Sequence, residues 1–243
     1  MENTEIRINK YLSMAGFCSR RAADEMISKG QVTVDGVVAK EGTKVKPGQS
    51  VCVDGQMIKL LDEYRVFAFY KPVGYISSLS DEQGQGIGKF IPSGLRLYPV
   101  GRLDKDSEGL LLLTNDGELM NAILRAAGGH EKEYIVKVNK NITEDFLHRI
   151  ESGVKITNGA TGDKITTAPC KTTKMDVRSF KIVLIQGLNR QIRRMCGAFG
   201  YNVISLKRIR IMNILLGNLK PGELVEITKE ELMELKKLAG IGR

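Results

Sequence analysis

Hydrophobic and polar residues alternate with two different periods in the first sixty residues. Apolar residues over 6–15 recur at helical spacing up to Gly16, which predicts a first helix. A second helix is predicted over 20–29, because Ser19 can cap its start and Gly30 can end it. Short strands separated by turn residues are predicted after it, at 32–34, 37–38 and 51–53.

From residue 64 onward, strand patterns outnumber helical ones. Strands are predicted at 65–70, 110–114, 134–138, 180–185 and 203–206, and helices at 144–151, 189–199 and 229–238. Because strands fall in local pairs rather than alternating strictly with helices, a mixed, largely antiparallel sheet with packed helices is expected. The sequence therefore predicts an α+β protein with a small α+β domain over 1–60, a polar linker over 59–64 and a larger domain over 64–243.

The overall composition is that of a globular protein with a sizeable core. The 243 residues are 42% hydrophobic with a mean hydropathy of −0.16, and no apolar run approaches the roughly 20 residues that span a bilayer. Residues 1–5 lack the basic start and apolar core of a secretory signal. We therefore expect a cytoplasmic protein that does not bind membranes.

The cysteines and histidines do not suggest a metal centre. The four cysteines contain no Cys-x-x-Cys pair, and the two histidines are far apart in the sequence. We expect reduced thiols, no bound metal and no metal-dependent hydrolase activity.

The positive charge is concentrated in one part of the chain. The net charge is +9, and residues 177–222 contain nine Lys and Arg residues without a single Asp or Glu. A solvated basic face usually carries interspersed acids, whereas an arginine-rich window without acids is typical of phosphate recognition. The charge therefore predicts a nucleic-acid partner rather than a membrane surface.

The segment 101–117 contains the strongest candidate for chemistry. Asp104 precedes a run of four leucines, and a carboxylate at the mouth of a buried strand is a candidate nucleophile. Taken alone, the segment favours a turn aspartate that caps backbone amides, because such aspartates are far commoner than catalytic ones.

Five ordered motifs resemble those of RNA pseudouridine synthases of the RsuA/RluB/RluF family, over nearly the whole chain. They are Gly-Arg-Leu-Asp at 101–104, Tyr-Lys-Pro-Val-Gly at 70–74, His-Glu-Lys-Glu-Tyr at 130–134, and the runs 187–195 and 208–213. Residues 7–12, 19–24 and 30–36 resemble an S4-like RNA-binding domain. The resemblance implies a pseudouridine-synthase sheet, isomerisation of uridine to pseudouridine and no cofactor. Within the family, the 130–134 string favours ribosomal RNA of the large subunit (23S) as substrate.

The resemblance also implies roles for individual residues. Asp104 would be the nucleophile, Arg193 its bidentate partner, and Tyr134 the ring that stacks on the target base, although a tyrosine there is more often a packing residue. Arg102 would fill the gap left by the extruded nucleotide, or remain a plain surface arginine. Further RNA contacts are expected from Leu103, Lys105, Asn189, Arg190, Gln191, Arg194, Lys207, Arg208 and Arg210 in the larger domain, and from Arg7, Lys10, Arg20, Arg21 and Lys29 in the smaller one.

Two other functions fit parts of the sequence. A non-catalytic RNA-binding assembly factor could retain the fold, but it would gain little from an aspartate that faces phosphates. A nucleoside glycosidase would need two carboxylates, and Asp106, which strand alternation would place on the same side as Asp104, is the only close candidate. A monomer is expected, because nothing in the sequence indicates an obligate dimer.

Overall fold

The computed structural model describes residues 5–60, 63–125, 128–157, 159 and 161–241. The chain divides into two compact units: residues 1–65 together with 115–117, and residues 66–114 together with 118–243. The predicted linker over 59–64 includes residues 61 and 62, which lie outside the described residues. The boundary at 60–64 therefore stays a prediction.

The first unit packs two helices with short antiparallel strands. Its elements are β1 (Ile6–Arg7), α1 (Ile8–Met14), α2 (Arg20–Ser28), β2 (Val32–Val34), β3 (Val37–Val38), β4 (Lys44–Val45), β5 (Val51–Val53) and β6 (Gln56–Ile58). Strands pair in the order β3-β2-β5-β6, and β1 pairs with β4. The Ser19 side chain accepts a hydrogen bond from the Ala22 amide, as expected of a residue that caps α2. Leu12, Ala23 and Val32 are fully buried in the core of this unit.

The rest of the chain is built around one large sheet. The strands of this part of the chain are β7 (Val66–Lys71), β8 (Tyr98–Pro99), β9 (Glu108–Thr114), β10 (Lys132–Val138), β11 (Lys155–Thr157), β12 (Lys164–Thr166), β13 (Lys171–Lys174), β14 (Ser179–Leu184), β15 (Val203–Ile211), β16 (Ile214–Leu215) and β17 (Leu224–Glu226). Its helices are α3 (Gly117–Leu124), α4 (Glu144–Glu151), α5 (Gln191–Ala198) and α6 (Lys229–Leu238), with a 3-10 turn at Gly88–Phe90.

Nine of these strands form the sheet, in the order β13-β14-β10-β15-β9-β7-β17, with β16 on β15 and β8 on β9. The β9–β15 pair is parallel, and the other described pairs in this sheet are antiparallel. The predicted α+β class with a mixed, largely antiparallel sheet is confirmed. Among the described residues, no helix is both long enough and apolar enough to span a membrane.

The leucine run at 110–113 occupies a strand that is buried on both faces. Leu111 and Leu113 belong to one apolar core, and Leu110 and Leu112 belong to the other. A strand that is buried on both faces has a continuous run of apolar residues in its sequence rather than an alternation of apolar and polar residues. The central position of β9 fixes the turn that precedes it, and that turn contains Asp104.

Candidate active site

The Asp104 carboxylate is presented by a turn between β8 and β9 that several hydrogen bonds hold in place. The Ser107 amide donates to the Asp104 carbonyl at 3.0 Å, and the Gly74 amide donates to the Lys105 carbonyl at 2.8 Å. One residue earlier, the Leu103 amide donates to the Ser77 hydroxyl at 2.9 Å. The Asp104 side chain remains 29% exposed, so a fixed backbone presents a reachable carboxylate.

Arg190 is the arginine that lies against Asp104. Its Nη1 is 3.7 Å from Asp104 Oδ2, and its two terminal nitrogens donate to both oxygens of Asp106, at 3.1 and 2.8 Å. The first of these contacts differs from the sequence-based prediction, which paired Asp104 with Arg193. Arg190 precedes α5 with a φ of 51°, a left-handed conformation that is uncommon for residues with a side chain and is found at functional sites.

Arg193 lies against Asp106 and the backbone of the turn instead of pairing with Asp104. Its Nη2 donates to the Asp106 carbonyl at 2.8 Å and to the Ser107 hydroxyl at 3.3 Å, and its Nη1 donates to the Val203 carbonyl at 3.0 Å. Its Nε is 3.3 Å from Asp106 Oδ2. Arg193 therefore ties the turn to β15, which makes it a positioning residue in this geometry.

Asp106 is the acidic centre of this cluster. The hydrogen bond from Arg190 lowers the pKa of Asp106, and the charges of Arg193 and Arg190 lower it further against the opposing effect of burial. The carboxylate of Asp106 is therefore ionised and occupied by two guanidinium groups, while that of Asp104 has the weaker contact.

A cavity of about 540 Å³ opens beside Asp104, within the size range of ligand pockets of roughly 300–1,000 Å³. Its lining brings together Asp104, Tyr134, Arg190 and Arg208 with Lys132. Further predicted site residues that line it are Arg102, Leu103, Asn189 and Gln191.

Tyr134 stands on β10, next to Arg208 on β15. The residue is 8% exposed, and the Arg208 guanidinium lies 5.9 Å from the centre of the Tyr134 ring. The β10–β15 register shifts between Glu133 and Tyr134, and such β-bulges redirect side chains near active sites.

Two lysines without a predicted role, Lys71 and Lys132, lie near the candidate site. Lys71 is completely buried, and its Nζ donates to the carbonyls of Pro72 and Tyr75 at 2.9 and 2.7 Å. Lys132 Nζ donates to the His130 carbonyl at 3.2 Å. Lys71 lies inside the 70–74 motif, so its position was visible in the sequence, but its burial was not.

Several predicted RNA contacts have polar groups that are engaged within the protein. Arg210 is held by Glu133 and Glu131, both at 2.9 Å, and Arg194 donates to the Thr157 carbonyl and to Asn189. Gln191 is buried and accepts a hydrogen bond from the Leu188 amide. The basic window at 177–222 is therefore partly neutralised by carboxylates from other segments, which its sequence alone does not reveal.

The remaining predicted contacts are more accessible. Lys207 is half-buried with its Nζ 4.9 Å from the Tyr70 ring centre, and Arg102, Lys105 and Asn189 are exposed. In the first unit the predicted contacts are all exposed: Arg7, Lys10, Arg20, Arg21 and Lys29. Among the residues that the structure describes, no group of three or more His, Cys, Asp or Glu side chains is placed to hold a metal ion.

Two segments of the chain match known protein families. Residues 65–198 match the RNA pseudouridylate synthase family, and residues 6–51 match the S4 domain. The chain is 45% identical to the dual-specificity RNA pseudouridine synthase RluF of Escherichia coli K12, over 98% of this chain and 81% of that protein. It is 36% identical to the ribosomal large subunit pseudouridine synthase B of Bacillus subtilis 168, over 98% of each chain.

A solved structure agrees with these matches. The crystal structure of a pseudouridylate synthase superposes with a TM-score of 0.70 and 26% identity, over 95% of this chain and 99% of that one. Fold, motifs and identity agree over almost the full length, and the chain belongs to the RNA pseudouridine synthases of the RsuA/RluB/RluF family.

Proposed function

We propose that this enzyme converts a specific uridine of 23S ribosomal RNA to pseudouridine, with Asp104 as the nucleophile on a flipped-out nucleotide. The observation that carries the proposal is the meeting of Asp104, Tyr134 and a cluster of basic groups at one cavity. The similarity to the ribosomal large subunit pseudouridine synthase B of Bacillus subtilis supports large-subunit RNA as the substrate class.

The reaction is an isomerisation that needs no external electrons or groups. The bond between C1′ and N1 breaks, the uracil turns within the pocket, and C5 bonds to C1′ while C5 loses a proton and N1 gains one. Asp104 has three routes: attack on C1′, addition to the base, or removal of the C2′ proton. Each requires an accessible carboxylate beside a base that has left its stack.

The neighbouring residues fit supporting roles in this proposal. Tyr134 stacks on the uracil, Arg193 positions the turn that presents Asp104, and Arg102 fills the gap left by the flipped nucleotide. Lys105, Asn189 and Lys207 contact the surrounding RNA. Extruding a nucleotide costs a few kcal/mol, which contacts of this kind offset.

We further propose that residues 1–60 form an RNA-binding domain of S4 type and residues 64–243 the catalytic domain. Five exposed basic residues on the first unit support phosphate contacts there. The protein would act as a monomer on ribosomal RNA, or on an assembling large subunit, in the cytoplasm.

The test is pseudouridine mapping of ribosomal RNA after carbodiimide treatment, read as reverse-transcription stops. Escherichia coli cells that lack RluF would be supplied with the wild-type protein or with Asp104→Asn. We expect the wild type to produce a stop in 23S RNA that Asp104→Asn does not, although this variant binds RNA with unchanged affinity. A stop made by both proteins would refute the role of Asp104, and no stop with either would refute 23S RNA as substrate.

A further inference from the structure

Arg208 is a buried cation with an unused hydrogen-bond donor. The residue is 3% exposed, and its Nη2 atom is buried without a hydrogen-bond partner among the described residues. Leaving a charged donor unpaired in the interior is costly, so such a group usually has a structural or functional reason.

The guanidinium is fixed by the sheet rather than by a carboxylate. Arg208 Nε donates to the Leu110 carbonyl at 2.7 Å, across the parallel β9–β15 pair. Gly109 makes this approach possible, because any side chain there would overlap the backbone of Arg208. Gly109 also has a φ of +103°, which strongly favours glycine. The close strand pair therefore sets Arg208 rigidly at the cavity.

The surroundings of Arg208 are positive and contain an aromatic ring. Arg208 lines the same cavity as Asp104, Tyr134 and Lys132. The pKa of Lys132 is lowered mainly by burial of that lysine and also by the charge of Arg208. A site with two desolvated cations beside a stacking ring is suited to a flat ligand that carries or develops negative charge.

Depth within the cavity separates two candidate ligands, a phosphate and a base. The RNA strand must enter and leave the site, so its phosphates stay at the mouth, whereas a flipped base reaches farthest in. Arg208 is buried, with 3% of the residue exposed, whereas Asp104 is only partly buried. Burial therefore favours the base.

We propose that Arg208 donates a hydrogen bond to a carbonyl oxygen of the flipped uracil and stabilises the negative charge that the base acquires during the reaction. This inference rests on the proposed function. When the C1′–N1 bond breaks, its electron pair passes to N1 and is delocalised onto O2 and O4. If Asp104 instead adds to the ring, the charge resides on an enolate oxygen. Arg208 serves every route, because each places charge on a carbonyl oxygen.

The experiment compares two substrates under single-turnover conditions: an RNA that contains the target uridine, and the same RNA with 5-fluorouridine at that position. The fluorine withdraws electrons and stabilises the anionic base without help from the protein. Conversion is followed as the loss of the intact nucleoside after digestion. The variants are Arg208→Gln and Arg208→Lys, with Arg149→Gln as the matched control, because Arg149 lies on α4 and pairs with Asp145.

For Arg208→Gln we expect a rate about 100-fold below wild type on uridine, within the range of roughly 10²–10³ for removal of one oxyanion donor. The deficit on 5-fluorouridine should be about 10-fold or less, and RNA affinity should stay within about threefold of wild type. Arg208→Lys, which keeps a charge, should fall between Gln and wild type, and Arg149→Gln should match wild type on both substrates.

Equal deficits on the two substrates would mean that the substitution only disturbs the sheet, and would overturn the proposal. A parallel loss of RNA affinity with a shallower salt dependence would assign Arg208 to a phosphate and would also overturn it. If Arg208→Gln fails to unfold cooperatively, the same two-substrate comparison on Arg208→Lys decides. Inactivity of the wild-type protein on every ribosomal RNA would instead refute the proposed function.

Discussion

The Arg190 guanidinium lies 3.7 Å from the Asp104 carboxylate while it also binds both oxygens of Asp106. One arginine therefore connects the candidate nucleophile to a second carboxylate, whose pKa its hydrogen bond lowers. Arg193, one helical turn later, secures the backbone of the same turn. We therefore expect separable roles for the two arginines, charge contact for Arg190 and positioning for Arg193.

Arg193→Lys should therefore impair turnover more than Arg190→Lys does. A lysine keeps the charge but cannot bridge the Asp106 carbonyl, the Ser107 hydroxyl and the Val203 carbonyl with one planar group. We expect kcat to fall about 10- to 100-fold for Arg193→Lys, the effect of losing a charge-assisted hydrogen bond, and less than 10-fold for Arg190→Lys. Single-turnover rates and RNA affinities of both variants check this. The opposite order would assign the pairing to Arg193, as the family resemblance implies.

The family resemblance pairs Asp104 with Arg193, but the spacing of the arginines alone does not choose between Arg190 and Arg193. Arg190 and Arg193 are three residues apart, so both can face the same turn from the start of one helix. Which one reaches Asp104 depends on the left-handed backbone of Arg190, a property that spacing does not encode. The partners of Arg210 could not be seen in the sequence for a related reason: Glu131 immediately precedes β10 and Glu133 lies on it, and both come close to β15 only in the folded sheet.

Elements were predicted well where a local signal exists. The Ser19 side chain accepts the expected backbone hydrogen bond, and Thr143 and Thr228 cap the predicted helices α4 and α6 in the same way. Helix α4 spans the predicted 144–151. Strand β15 runs to Ile211 rather than ending at 206, since the charged residues beyond 206 interrupt the apolar pattern while their side chains find partners in the sheet. Helix α3 and many of the short strands were missed. Strand β1 is one of them, and it exists through pairing with a segment distant in sequence.

Tyr134 offers a test of base stacking. Tyr134→Phe keeps an aromatic ring in the cavity, whereas Tyr134→Leu keeps only apolar volume. Because stacking of one base contributes about 1–3 kcal/mol, we expect Tyr134→Leu to weaken binding of the target RNA by roughly 5- to 150-fold and Tyr134→Phe to leave it near wild type. Dissociation constants measured in the Asp104→Asn background keep the substrate unconverted. Equal affinity of the Phe and Leu variants would contradict stacking.

Lys71 predicts a pH-dependent contribution to stability. Burial lowers its pKa to about 8, against the opposing charges of Asp104 and Asp106, whereas an unfolded chain has a lysine pKa near about 10.4. Between these values the unfolded chain holds the extra proton, so the contribution of Lys71 to the free energy of unfolding rises with pH. From pH 7 to 10 the rise should reach up to about 3 kcal/mol.

Other groups titrate in the same window, so this prediction needs a matched variant. Burial raises the pKa of Cys196 to about 12, and this thiol destabilises the fold as pH rises through the unfolded-state value. We therefore compare the free energy of unfolding of wild type with that of Lys71→Met, measured by urea unfolding at pH 7 and at pH 10. The difference between the two proteins should rise with pH by the amount given above. A difference that does not change with pH would show that Lys71 is not desolvated in solution.

The proposed division of labour between the two domains can be tested through salt dependence. A chain that begins at residue 64 keeps both apolar cores of the large sheet, so it should unfold cooperatively and bind RNA more weakly. The logarithm of its affinity should also depend less steeply on the logarithm of salt concentration, because each lost phosphate contact removes about 0.7 from the slope on single strands.

In the full chain, Arg20→Gln combined with Arg21→Gln should reduce the slope by up to about 1.4 without affecting the turnover of bound RNA. An unchanged slope in both proteins would place the phosphate contacts entirely in residues 64–243, and an insoluble fragment would show that the two domains depend on each other to fold.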